Sequence, residues 1–253
     1  MYQLGKLPAR DGAVSLKLAD YLDVSGLPPI PASFGHQALI PANGWGMLGN
    51  DTVGDCAWAG PAHETMIWNK AAGRNVAFTT EGVLSDYSAA TGYIPDDPST
   101  DRGTDMQQGA KYRQKVGIVD AAGVRHKIGA YLAIEPGDTT SLLAAAYIFG
   151  AVPIGIEVPT YFMSEFQAGQ PWSVRRRARI EGGHYVPIVG FDGTYLLLPT
   201  WGQLQRMELA AFGKFNDEVI VVISPDQLTN SGLTPEQFDN AALAADLKKV
   251  ASL

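Results

Sequence analysis

The sequence predicts an α+β fold, with a helical lobe facing a lobe built on an antiparallel sheet. Three observations predict it. Segments with helix caps and terminating glycines crowd residues 55–117. Alternating or wholly apolar runs suited to strands crowd residues 151–223. Between two of those runs stands Asp192-Gly193, a strong two-residue hairpin signal. Helices first and strands later pack as segregated layers rather than as alternating βαβ units.

Taken in order, residues 1–48 are rich in Pro and Gly (LPPIPASFGH, LIPANGWG) and read as an extended arm laid across a surface, with at most one short helix around 14–22. Asp55 stands where an N-cap belongs, before a helix from 56 to about 72 with Gly73 at C′. Pro61 removes one ladder hydrogen bond from that helix and predicts a kink. A second helix covers 80–91, closed by Gly92, and YIPDDPSTDRG follows as a loop. Thr104 or Asp105 caps a third helix reaching 116, stopped by Gly117. A further helix covers about 140–149, with Gly150 at its end. AVPIGIEV then alternates like a strand, GHYVPIVGF and TYLLLPTW form the hairpin, and EVIVVIS is a buried strand. TPEQ from Thr234 opens a C-terminal helix to about 250, with Pro235 at N1 and Gln237 at N3. Its apolar stripe, Phe238, Ala242, Leu243, Leu247 and Val250, needs a cover and points to homo-oligomer or virion assembly. The chain thus divides into an arm (1–48), a main domain (49–224, with lobes about 49–130 and 131–224) and a helical extension (225–253).

At 253 residues and 46% hydrophobic content, the chain has a core large enough for two lobes sharing a cleft. A net charge of −7 argues against a nucleic-acid partner. One cysteine excludes an intrachain disulfide. There is no signal-peptide pattern and no uninterrupted 18-residue apolar run, so neither export nor a membrane span is expected, and a cytoplasmic or virion-associated protein is. CxxC, HExxH, GxGxxG and P-loop patterns are absent, so no metal or cofactor is expected.

The single cysteine carries the chemistry. Cys56 falls at a helix N-terminus, where unpaired N–H groups and the helix dipole favour thiolate. The neighbouring Asp55 opposes this. A thiol nucleophile needs a base, and four histidines are available. His36 lies in the arm and His126 in VRHKI, an exposed-looking stretch. His63 shares the helix with Cys56 but lies about 10 Å along it, so it reads as a packing residue. His184 follows Gly182-Gly183 at the head of a strand, 128 residues after Cys56. At the head of a strand a base could lean over a cleft.

These segments together resemble a divergent papain-like cysteine peptidase over most of the chain. GNDTVGDCAWAG resembles the family's nucleophile segment, with Asn50 six residues before Cys56 where the oxyanion-hole Gln is expected. TTEGVLSDYS and DRGTDMQQGAKYRQKVGIVD resemble the left-lobe helices and the Gly-rich stretch between them. FGAVPIGIEV with FMSEFQAGQPW, GGHYVPIVGFD and PTWG resemble the Gly-Pro-Val strand, the catalytic His strand and the Asn-Ser-Trp-Gly turn. The resemblance implies a two-lobed papain-like fold with a peptide or protein substrate. It also implies Cys56 as nucleophile, His184 as base, Asn50 in the oxyanion hole and Trp201 shielding the pair.

The pattern breaks where the family places the Asn that orients the base, because Pro199 stands there. If Asp192-Gly193 is the two-residue turn, His184 faces Trp201 and Val186 faces Pro199. Thr200 then points to the opposite face, and Asp192, eight strand residues from His184, lies more than about 20 Å away. The orienter is missing, or is a residue this pattern does not identify. Asn50 keeps an amide donor but on a chain one methylene shorter than Gln, and it serves equally well to shape the Gly49-Asn50-Asp51 turn. Arg175, Arg176, Arg177 and Arg179 fall just before His184 and read either as a solvated loop or as a rim that docks an acidic partner. Two functions follow. One is a papain-like thiol hydrolase using a Cys–His dyad. The other is a papain-fold structural or interaction protein of weak or no activity, such as a phage virion component.

Overall fold

The structure, a computed structural model, describes residues 2–10, 12, 14–22, 29–177 and 179–239. In chain order it contains β1 (Phe34–Gly35), α1 (Cys56–Ala71), α2 (Thr80–Thr91), α3 (Met106–Lys115), β2 (Ile118–Val119), β3 (Arg125–His126) and β4 (Ala130–Ile134). There follow α4 (Thr139–Phe149), β5 (Val152–Pro159), α5 (Thr160–Gln167), β6 (Ile180–Ile188), β7 (Gly190–Phe191) and β8 (Tyr195–Thr200). The last are β9 (Gln203–Glu208), α6 (Leu209–Phe215) and β10 (Asn216–Ile223). This is the α+β order expected. Helices α2, α3 and α4 start on side-chain caps, from Thr79, Asp105 and Asp138. Gly92 and Gly150 end α2 and α4 in the left-handed region, which a side chain would resist. Helix α1 runs on through Pro61. Asp55 occupies its N-cap position, but its side chain caps no N–H.

Two antiparallel four-stranded sheets form the second lobe, ordered β4-β10-β5-β6 and β1-β7-β8-β9. The chain passes from one to the other at Val189, between β6 and β7. That crossing corrects the expected register. Gly190 pairs with Leu197 and Phe191 with Leu196, and the Asp192 N–H donates to the Tyr195 carbonyl at 3.1 Å. The turn residues are therefore Gly193 and Thr194, one step later than Asp192-Gly193. Asp192 instead accepts from the N–H groups of Thr194 and Tyr195 through its carboxylate. The strand partner of His184 is Ile156 of β5, not Trp201.

Helix α1 is buried from Cys56 to Asn69 and lies across the back of β6. A Cβ at Gly60 would sit 2.4 Å from the Tyr185 ring, so glycine permits that close approach. One apolar cluster joins α1, α2 and α3 to this face of the sheet, through residues such as Trp58, Tyr87, Ile220 and Val222. A second fills the space between the sheets, α4, α5 and α6, with Phe162 stacked on Trp172 at 4.9 Å.

At the C-terminal end the expected helix does not open at Thr234. The Thr234 N–H donates to the Phe238 carbonyl, and Gln237 has φ 69°, so a closed turn stands there. Phe238 packs edge-on against Tyr147. Ala242, Leu243, Leu247 and Val250 lie outside the described residues.

Candidate active site

Cys56 begins α1, and His184 sits in the middle of β6. The two line one small cavity together with Asn50, His63, Tyr185, Pro199, Thr200 and Trp201. Both are 1% exposed. The Tyr185 N–H donates to Cys56 Sγ at 3.4 Å. Burial pushes the Cys56 thiol up to about 11, against the pull of the Tyr185 and Gly5 N–H groups, while the neighbouring Asp55 charge adds to the rise. Burial alone brings His184 down to about 3. In this closed arrangement the pair is a neutral thiol and a neutral imidazole.

The orienting partner of His184 is Thr200. Its Oγ1 lies 2.7 Å from His184 Nε2, and His184 Nδ1 is buried with no hydrogen-bond partner among the described residues. The expectation that Thr200 faces away fails because β6 and β8 belong to different sheets, so one hairpin register cannot be extended from β7 back to His184. Trp201 stacks on His184 with ring centroids 4.5 Å apart and planes 17° apart. It does so from just beyond the end of β8, at φ 46°, rather than as a hairpin partner. Pro199 lines the cavity without a polar group to offer.

Asn50 donates its amide to the Val53 carbonyl at 3.1 Å, the geometry of a turn-shaping residue. Asp55 is fully buried, and burial holds its carboxyl well above the usual range, opposed by the adjacent Asn50 amide. His63 donates from Nε2 to the carbonyls of Trp45 and Gly46, and burial lowers it to about 4, in keeping with a packing role.

The start of the arm, residues 2–7, runs through the cleft, and most of the arm's other described residues are exposed or half-buried. The Gln3 N–H donates to Asn50 O at 3.1 Å, and Trp201 Nε1 donates to Gln3 O at 3.3 Å. The Thr104 N–H donates to Gly5 O at 2.7 Å, Lys6 N–H to Gly183 O, and Leu7 N–H to Thr104 O. Tyr2 stacks on Trp201. A Cβ at Gly5 would come within 1.7 Å of Gly54 O, so only glycine fits beside the start of α1. These contacts put both catalytic candidates out of reach of solvent.

The arginine run is not part of this cavity. Arg175 pairs with Glu165 at 2.9 Å and lies over the Tyr161 ring, while Arg176, Arg177 and Arg179 are exposed. His126 is not exposed either; it bridges Asp120 and Asp226. A buried network behind the site also went unread: Tyr185 donates its hydroxyl to Glu64, and Arg113 lies 2.9 Å from the same carboxylate. The signal for it was Glu64 on an otherwise buried helix.

This arrangement is a papain-like fold. Xylellain, a cysteine protease from Xylella fastidiosa, superimposes with a TM-score of 0.63 at 14% identity, over 88% of this chain and 96% of that one. A procathepsin B from Trypanosoma congolense gives 0.62 at 13%, over 88% and 86%. A cysteine protease from Carica candamarcensis gives 0.53 at 14%, over 77% and 99%. No family model and no curated protein matches the sequence. No helix among the described residues is long and apolar enough to cross a membrane.

Proposed function

We propose that this chain is a cysteine hydrolase of peptide or related acyl bonds, with Cys56 as nucleophile and His184 as base. The observation that carries this is the shared cavity: Cys56 lines it together with His184, whose Nε2 is held by Thr200 and whose Nδ1 is buried with no hydrogen-bond partner among the described residues. With Nε2–H donated to Thr200, Nδ1 is the basic nitrogen. It takes the Cys56 proton as Sγ bonds to the substrate carbonyl carbon. The proton then passes to the leaving amine as the C–N bond breaks, leaving a thioester. Water attacks the thioester, giving its proton to His184, and the acid product departs as the thiol reforms. The Cys56 backbone N–H, at the start of α1, is one donor for the oxyanion, and the Asn50 amide becomes a second once it turns from Val53.

A second reading, a papain-fold structural or interaction protein, is favoured by one observation: the pair is neutral and covered by the arm. Gly5→Val separates the two, because any side chain there collides with Gly54 and displaces the arm. The hydrolase reading expects the Gly5→Val chain to cleave a generic peptide or ester substrate and to accumulate a thioester visible by mass spectrometry. Both are lost in Gly5→Val/Cys56→Ala. An exposed Cys56 that alkylates readily yet turns over no substrate leaves the structural reading standing.

A further inference from the structure

We propose that Asp55 is a positioning residue of the site that works as an uncharged acid. As an acid it leaves the Asn50 amide free to turn toward the oxyanion. As a carboxylate it holds that amide and opposes the Cys56 thiolate. This rests on the hydrolase reading above. Its ground is a carboxyl group that the fold does not use. Asp55 is fully buried, and neither of its carboxyl oxygens has a hydrogen-bond partner among the described residues. The side chains of Thr79, Asp105 and Asp138 each accept an N–H at the start of their helices, whereas that of Asp55 accepts none from α1. A buried carboxyl without a partner destabilises the fold, and least when it is protonated.

The backbone holds this side chain in one place. The Asp55 carbonyl accepts from the N–H groups of Trp58 at 2.7 Å and Ala59 at 3.0 Å, the first bonds of α1. The carboxyl is not among the groups lining the cavity; it lies beside Gly49, where a Cβ would fall 2.9 Å from Oδ2. Displacing the arm from the cavity therefore leaves Asp55 buried.

The charges around it are of one sign. Asp51 in the same turn and Asp101 in the loop before α3 both disfavour a charge on Asp55. The groups that a charge here acts on are the Cys56 thiol and the hydroxyls of Tyr87 and Tyr93. Asp101 is already satisfied, accepting the Gly54 N–H at 2.8 Å and the Tyr87 hydroxyl at 2.6 Å. Burial, with Asp101 and Asp51 adding to it, holds the Asp55 carboxyl well above the usual range against the Asn50 amide.

That amide is the link to the chemistry. It stands next to the Asp55 carboxyl, and the bond it closes is to the Val53 carbonyl at 3.1 Å. An amide nitrogen has two N–H donors. A carboxylate at Asp55 binds the second by a charge-assisted bond and keeps the amide where it is, while a neutral acid binds it weakly. The same negative charge, one residue from Cys56, raises the thiol. Losing one proton at Asp55 thus weakens the oxyanion donor and the nucleophile together.

The test reads the acid first and then its effect. Infrared spectra of full-length wild type and Asp55→Asn at pH 6.5 are expected to differ by the carbonyl stretch of a protonated carboxyl, which fades from wild type as pH rises. A difference spectrum without that band overturns the proposal. In the Gly5→Val background, Asp55→Asn is expected to lower the midpoint of Cys56 labelling by iodoacetamide by about one pH unit. It should also hold kcat/KM for a generic ester level up to pH 9.5, where Gly5→Val alone falls at least tenfold. Asp55→Ser, which supplies a capping hydroxyl and no charge, should behave the same way. Adding Asn50→Ala to both chains is expected to bring their kcat values together while the labelling midpoints stay apart; kcat values that still diverge overturn the route through Asn50. The two readings fail separately. Turnover with superimposable labelling profiles sinks the role of Asp55 and keeps the hydrolase. The infrared band and a shifted midpoint without turnover do the reverse.

Discussion

The Thr200 hydroxyl lies 2.7 Å from His184 Nε2, and His184 Nδ1 is left buried with no hydrogen-bond partner among the described residues. A hydroxyl is neutral, so it orients the imidazole without adding a full charge to stabilise an imidazolium. Thr200→Val keeps the shape and removes the partner, leaving Nε2 buried and unpaired. In the arm-displaced Gly5→Val background we expect turnover to fall roughly 10- to 100-fold. That is less than the ~10⁴-fold loss when an orienter that also stabilises charge is disabled in a Ser–His–Asp triad. Thr200→Ser should retain most activity. A Thr200→Val enzyme with unchanged kcat and pH profile would show that the hydroxyl does not position the base.

The covered thiol predicts a distinctive pH response. With Cys56 raised to about 11, the thiolate fraction at pH 7.5 is on the order of 10⁻³ to 10⁻⁴. Full-length wild-type protein should alkylate slowly at neutral pH, with the rate still climbing above pH 10. Displacing the arm with Gly5→Val rehydrates both groups, so the midpoint should drop toward or below about 8.5. A Gly5→Val profile superimposable on wild type would mean that the arm does not control the thiol.

How much of this was legible in the sequence divides along local and non-local lines. The helices at 80–91 and 106–115 were readable because their caps and stops are local: a side-chain oxygen at one end and a glycine at the other. Cys56 and His184 were readable as candidates from type and spacing, and the structure brings both to one cavity. Thr200 was not, since its direction depends on the chain changing sheets at Val189, which no two-residue turn rule contains. The arm's route was hidden for the same reason. Lys6 and Asp217 lie 211 residues apart, and only the bulge at Asn216–Glu218 brings them together. Asp55 misled because it stands in an N-cap position without capping. The sequence beyond Thr234 carries helix signals, but the Thr234–Phe238 turn uses the same threonine to close on itself.

Behind the site, Glu64 and Arg113 form a buried ion pair 2.9 Å apart, and Tyr185 donates its hydroxyl to the same carboxylate. Burial raises the Glu64 carboxyl, while the Arg113 charge and the Tyr185 hydroxyl pull it down. Arg113→Met removes the cation and strands the carboxylate, so we expect a loss of about 3–5 kcal/mol in unfolding free energy. Arg113→Met/Glu64→Gln should recover much of that loss because no charge is left buried. Tyr185 supplies the N–H that reaches Cys56, so the single variant should also blur the site. Denaturant unfolding of the three chains checks this; equal stability of the single and double variants would deny the coupling.

His126 links the β2–β3 hairpin to the turn at Pro225–Gln227, with Nδ1 3.1 Å from Asp226 and Nε2 3.2 Å from Asp120. Asp226, then Asp120, raise the histidine above its ordinary value despite partial burial. Burial pushes both carboxylates up, but hydrogen bonding to His126 leads the effects that bring each below its usual value. The signs then fix the window. A raised histidine stabilises the fold fully below its unfolded value of about 6.5, and that contribution disappears as pH rises through the folded value. The depressed carboxylates stabilise it above their unfolded value of about 3.9, and lose that as pH falls through their folded values. Wild type should therefore exceed His126→Gln in thermal stability most strongly between about pH 4 and 6.5, with the gap narrowing on either side. Melting curves of both chains from pH 3 to 9 measure that gap. A difference that is flat across the range would place the role of His126 in packing against Phe78 rather than in charge.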